Sequence, residues 1–177
     1  MTHTIVIPSK MASKNVDAWV RPALAQQNMD NGYMFSLTAN EVTSGCEVWT
    51  VTVPTTASLT DLWMALEPVR PFLASGTNVY QGLGIASDFY NSASQVFTAV
   101  KVKKGDIITV TSDFFTSGTA PTNGQFAGPT NGIFTATAGA TVAGAGWKFL
   151  GYTTIPSADG TIGSGRLTAY KLECIVE

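Results

Sequence analysis

The stretch Val96-Phe-Thr-Ala-Val-Lys-Val-Lys-Lys-Gly-Asp-Ile-Ile-Thr-Val-Thr111 decides the fold class. Val96, Thr98, Val100 and Val102 share one face of an extended chain, and Lys101 and Lys103 point to the other. Lys104-Gly105-Asp106 supplies a turn, because glycine tolerates the positive φ that a tight reversal needs. Ile108 and Val110 then continue an inward face. The pattern predicts a β-hairpin over residues 96–111.

Outward from this unit the same period recurs. Upstream, Tyr33-Met-Phe-Ser-Leu-Thr38 reads as a strand. In Cys46 to Val53, positions 46, 48, 50 and 52 alternate against Glu47, Trp49, Val51 and Val53 until Pro54 stops the run. Leu62-Trp-Met-Ala-Leu66 fits a strand buried on both faces. A helix there has capping-box support from Ser58 and Asp61, but Pro68 leaves it barely two turns. Downstream, residues 116–146 are rich in Gly, Thr, Ala, Asn and Pro, with turn signals at Thr122-Asn-Gly and Thr130-Asn-Gly. Two closing strands, at residues 147–155 and 167–176, flank a turn-rich connection.

Short strands at such spacing predict an all-β fold. The expected architecture is a single β-sandwich or small β-barrel over residues 32–177, with an extended N-terminal arm over residues 1–31. In the arm, Ile5-Val-Ile7 ends at Pro8, and the stretch through Trp19, Pro22 and Gln26-Gln-Asn28 keeps no clean period. It reads either as a loosely packed entry segment or as an arm that docks on a neighbouring subunit with Trp19 as anchor.

Composition narrows the function. The chain has 177 residues, enough for one domain. Its 10 basic and 12 acidic residues make only 12% of it, with a net charge of −2. That balance lacks the basic patch of a nucleic-acid binder. Cys46 and Cys174 lie far apart in sequence, and His3 is the sole histidine, so no metal-ligand spacing is available. The two cysteines read as small buried hydrophobes, with one disulfide as the other possibility. A Ser-His-Asp arrangement has only His3 to recruit, from a segment expected to be a mobile terminus. The first residues lack the pattern of a signal peptide, and no apolar run is long enough to span a bilayer. Gly82-Leu-Gly-Ile-Ala-Ser87 fails as a dinucleotide fingerprint, because serine stands at the third glycine position, and reads as a turn.

The carboxylates are scattered, mostly in turns or beside glycine, where solvated acids are normal. Two of them meeting in space as an acid/base pair would make a small hydrolase, which the sequence leaves open as a third reading; the leading expectation is no enzyme and no cofactor. Trp19, Trp49, Trp63 and Trp147 with five tyrosines suit packing first and a sugar-stacking face second.

One stretch resembles a known family. Asp88-Phe-Tyr-Asn-Ser-Ala93, followed by a β-run and by Lys104-Gly-Asp-Ile-Ile-Thr-Val-Thr111, is similar to segments of small virion proteins of tailed bacteriophages. The tail Tyr170-Lys-Leu-Glu-Cys-Ile-Val-Glu177 and the upstream Glu47-Val-Trp-Thr-Val-Thr-Val-Pro-Thr55 resemble the same proteins. Ser94 departs from the pattern, which has glycine there, and residues 116–146 are unusually long.

The resemblance implies a virion structural protein, made in the cytoplasm of a bacterial host and located in the capsid. A decoration or cement protein is the leading form. Its partner would be the major capsid protein, in a homo-oligomer (dimer or trimer), without nucleic acid, membrane, metal or cofactor. Low charge with abundant Thr, Ser and Asn suits wet interfaces between crowded copies. The candidate interaction residues are Trp19 and Pro22 of the arm, with Gly118, Asn123, Phe126 and Asn131 of the glycine-rich loop. The alternative is a host-recognition or carbohydrate-binding β-module of a phage fibre or tail.

Overall fold

Small and large residues mix on the inner face of a closed barrel. The computed structural model describes residues 3–43, 46–55, 61–68, 72–75, 78–81, 89–140, 146–156 and 166–176. Five strands form a closed barrel in the order β2 (Val20–Leu24), β4 (Cys46–Thr52), β3 (Met34–Thr43), β5 (Trp63–Ala65) and β8 (Val96–Lys101). The β2–β4 contact is parallel and the other pairings are antiparallel. Phe35 pairs with Trp63, Ala65 with Ala99 and Ala23 with Phe97, so alanines leave room for the three large rings inside the narrow barrel. Phe35 and Phe97 meet edge to face at 5.6 Å.

The other face of the same strands carries Val20, Met34, Met64 and Val100. These pack against a second layer, a six-stranded antiparallel sheet in the order β1 (Val6–Lys10), β9 (Ile107–Val110), β13 (Arg166–Val176), β12 (Gly146–Pro156), β10 (Phe126–Pro129) and β11 (Ala136–Gly139). Val6, Ile108, Val110, Trp147, Phe149 and Leu172 come from that sheet into one buried cluster between the layers. Fully burying one such side chain contributes about 1.5–3 kcal/mol. A separate two-stranded unit pairs β6 (Phe72–Ser75) with β7 (Asn78–Gln81). Among the described residues there is no α-helix, only single 3-10 turns such as Ser13–Asn15 and Ser112–Phe114. The fold is all-β, as expected, and combines a small barrel with a packed sheet.

Two expectations change. Residues 96–111 are not a hairpin: β8 pairs with β2 and β5, while β9 pairs with β1 and β13. The turn carries the chain from barrel to sheet. Gly105 has φ +90°, and Asp106 N–H donates to the Lys103 carbonyl at 3.0 Å. Gly105 N–H to the Cys174 carbonyl and Cys174 N–H to the Asp106 carbonyl, both 2.8 Å, fasten the turn to β13. Both strands face one core from opposite layers, so their apolar alternation is the same as a hairpin's.

The extended arm over residues 1–31 is not seen either. That segment supplies β1, at the sheet edge, and β2, inside the barrel. Each is five residues long, with its few apolar side chains separated by turns, so neither shows a period. Pro22 fits because β4 joins β2 only at Ala23 and Leu24. The predicted strand at residues 62–66 is present as β5, buried throughout. Cys174 is buried on β13, whereas the side chain of Cys46 and the Gly82–Ser87 turn lie outside the described part.

Candidate functional site

β12 and β13 are each 11 residues long, far longer than the strands beside them. Their register runs from Gly146↔Val176 to Pro156↔Arg166, broken by irregularities between Gly146 and Trp147 and between Phe149 and Gly151. β9 accompanies β13 only over Tyr170–Glu173, and β10 accompanies β12 only at Trp147 and Lys148. Among the described residues, Gly151–Pro156 therefore pair only with β13, and Arg166–Ala169 only with β12. At about 3.3 Å per residue, this extension is about 20 Å long on β12 and about 13 Å on β13.

Rings climb along one of its faces from the core to the surface. Trp147 and Phe114 lie 6.4 Å apart, Phe114 and Phe115 5.2 Å, Phe115 and Tyr170 5.4 Å, and Tyr170 and Tyr152 5.5 Å. Tyr152 ends the series 59% exposed, and Leu150 and Leu167 are also exposed nearby. On the opposite face Ile5 packs on Ile155 and Ala169.

A cleft of about 240 Å³ opens where β9 stops beside this extension. After Val110 the chain enters the 3-10 turn, with Phe114 N–H donating to Thr111 and Phe115 N–H to Ser112. The turn buries Phe114 and leaves Ser112 and Asp113 on the cleft wall. Leu167, Thr168 and Tyr170 of β13 form the facing wall, and His3 and Ile5 close the third side. Among the described residues, no lysine or arginine lines it.

His3 is held from two directions. Its Nδ1 lies 2.6 Å from Asp30 Oδ1, and its ring lies 4.8 Å from that of Tyr90. Thr4 N–H donates to Asp30 Oδ2 at 3.0 Å, and Ile5 N–H to Thr111 Oγ1 at 3.1 Å. The expected mobility of this segment is replaced by a buttressed histidine. Nearby, burial first and the Asp30 charge second push the Tyr33 phenol above its ordinary value.

The tryptophans serve packing. Trp147 is in the core, and Trp63 lines the barrel. Arg21 Cζ lies 4.0 Å from the Trp49 ring centre and 4.9 Å from that of Trp63, capping one barrel end. Lys103 Nζ stands 5.4 Å from the Trp19 ring.

The candidate interaction residues fall in two places. Trp19 ends a 3-10 turn, and Pro22 lies exposed on β2 in a shallow groove with Val96 and Thr98. The others surround β10. Gly118 is exposed with φ +66°, and Asn123 lies in the turn that Gln125 N–H closes onto Thr122. Phe126 starts β10, and Asn131 lies in the turn beyond its end, where Gly132 N–H donates to the Pro54 carbonyl at 2.8 Å. Asn123 and Asn131 are thus at opposite ends of one strand. The cleft residues His3, Asp113 and Tyr170 were not singled out as site residues, because they meet through strand order, which no local pattern encodes.

No family model, no curated protein and no solved structure matches the chain. Among the described residues, no three His, Cys, Asp or Glu are grouped to hold a metal ion, and no helix is long and apolar enough to cross a membrane.

Proposed function

We propose that this chain is a structural protein of a bacteriophage virion, a capsid decoration protein. It binds the major capsid protein as a homo-oligomer and stabilises the head shell by association alone. The observation that supports this reading is the β12–β13 extension, whose open edges and exposed Tyr152 and Leu150 are ready for a neighbouring subunit. An unpaired strand edge templates pairing with another chain, and native proteins cover or blunt such edges unless they use them. The sequence resemblance to small virion proteins and the low charge point the same way.

Quantitative mass spectrometry of purified virions tests it. A copy number in simple ratio to the major capsid protein supports a lattice component. A number far below it moves the protein to the portal, tail or a fibre, and absence from the particle overturns the reading. Within the lattice reading, Tyr152→Ser lowers occupancy of the shell while leaving the free protein as stable as before.

A further inference from the structure

We infer that the cleft between the Ser112–Phe114 turn and β13 binds a neutral, hydroxyl-rich ligand: the ring of a sugar residue. Its size suits one small ring, at about 240 Å³. Its chemistry selects among small rings. Asp113 lines the cleft and makes no hydrogen bond or ion pair among the described residues, and the Ser112, Thr168 and Tyr170 hydroxyls are likewise uncommitted. A carboxylate accepts from two neighbouring hydroxyls at once, and side-chain hydroxyls both donate and accept, as a polyol requires.

His3 adds a directed acceptor. Asp30 engages Nδ1 at 2.6 Å, so in the neutral ring Nδ1 carries the proton and Nε2 keeps its lone pair for a ligand hydroxyl. This is the arrangement by which a carboxylate fixes the tautomer of a working histidine. Ile5, Leu167 and the Tyr170 ring supply apolar surface for the C–H face of a pyranose. The fixed charge excludes other classes. Among the described lining residues Asp113 stands without lysine or arginine and repels phosphate and nucleotide ligands, and one carboxylate with one imidazole is too few for a metal centre.

The site goes beyond shell binding and is tested on the isolated protein, so its failure leaves the virion reading standing. The probes are methyl glycosides of neutral hexoses, 6-deoxyhexoses and N-acetylhexosamines, read by saturation-transfer NMR and by amide shifts. The expected result is binding of at least one probe with shifts at Ser112, Asp113 and Thr168. Asp113→Asn and Thr168→Val each weaken it about tenfold, the loss of one hydrogen bond to a charged or buried partner. Val96→Ser, at an exposed position on the barrel strand β8, leaves it unchanged. No binding at millimolar probe overturns the inference, as does binding indifferent to both cleft variants. Shifts at Leu167 and Thr168 produced by an extended peptide and by no glycoside also overturn it, since they mark the open β13 edge as a strand-pairing site.

Discussion

The Ser13 hydroxyl donates to Asp106 Oδ2 at 2.5 Å, joining residues 93 positions apart. Ser13 N–H and Lys103 N–H donate to the same carboxylate, at 3.5 and 3.0 Å, and Asp106 is only 2% exposed. One acid thereby ties the segment between β1 and β2 to the turn that links the two layers. Asp106→Ala strands two buried donors of Ser13, each costing about 1–3 kcal/mol without a partner, and a part-buried one at Lys103. The expected loss is at least about 2 kcal/mol, read from urea unfolding midpoints, with Ser13→Ala losing about 1 kcal/mol. Equal, small effects of both variants would show that water replaces the carboxylate.

Ser94 has φ +64°, the one positive value at a non-glycine among the described residues. Its N–H donates to the Ala25 carbonyl at 2.8 Å, and Gln95 N–H closes the turn onto Ser92 at 3.1 Å. The turn therefore fixes the left-handed conformation, which costs a residue with a Cβ about 1 kcal/mol. Ser94→Gly is expected to stabilise the protein by about 0.5–1 kcal/mol, less the added flexibility of the unfolded chain. A lower melting temperature for this variant would refute the strain.

The proteins that the sequence resembles have glycine at the position of Ser94, and the backbone there takes a conformation glycine favours. The all-β class and the buried strand at residues 62–66 were legible in the sequence, because period and proline spacing are local properties. Strand neighbours were not. Val100 and Ile108 face one core whether β8 and β9 pair or lie in opposite layers, and alternation is identical in both cases. The cleft was hidden for the same reason. His3 meets Asp30 across 27 positions, and Asp113 and Thr168 line one cleft from distant parts of the chain.

Tyr33 stacks on Phe134 with the rings 5.7 Å apart and nearly parallel. Burial, and after it the Asp30 charge, raise its phenol above 10.0. The folded state then keeps a proton that the unfolded chain releases at the ordinary value. Stability from this group is whole below about pH 10 and falls as pH rises through the folded value. Tyr33→Phe keeps the stack and has no proton to lose. Its urea midpoint should match the parent near about pH 8 and exceed it near about pH 11. Parallel pH profiles for the two proteins would rule out the coupling.

Gly32 joins two constraints that the other turn glycines separate. Its φ is +90°, and a Cβ there would lie 2.8 Å from Val6 Cγ2 and 2.9 Å from Phe114 Cδ2. Both neighbours are buried in the inter-layer cluster, so neither has room to withdraw. Gly105 and Gly124 have similar φ values, +90° and +81°, with nothing within 4 Å of a Cβ. Gly105→Ala and Gly124→Ala should each lose only the backbone term, about 1–2 kcal/mol. Gly32→Ala adds overpacking of about 1–3 kcal/mol, for a total of about 2–5 kcal/mol. Differential scanning calorimetry of the three variants separates the terms. A Gly32 variant no worse than the other two would mean that β1 moves away from the Phe114 turn without loss, and that the layers are less firmly joined there than the packing indicates.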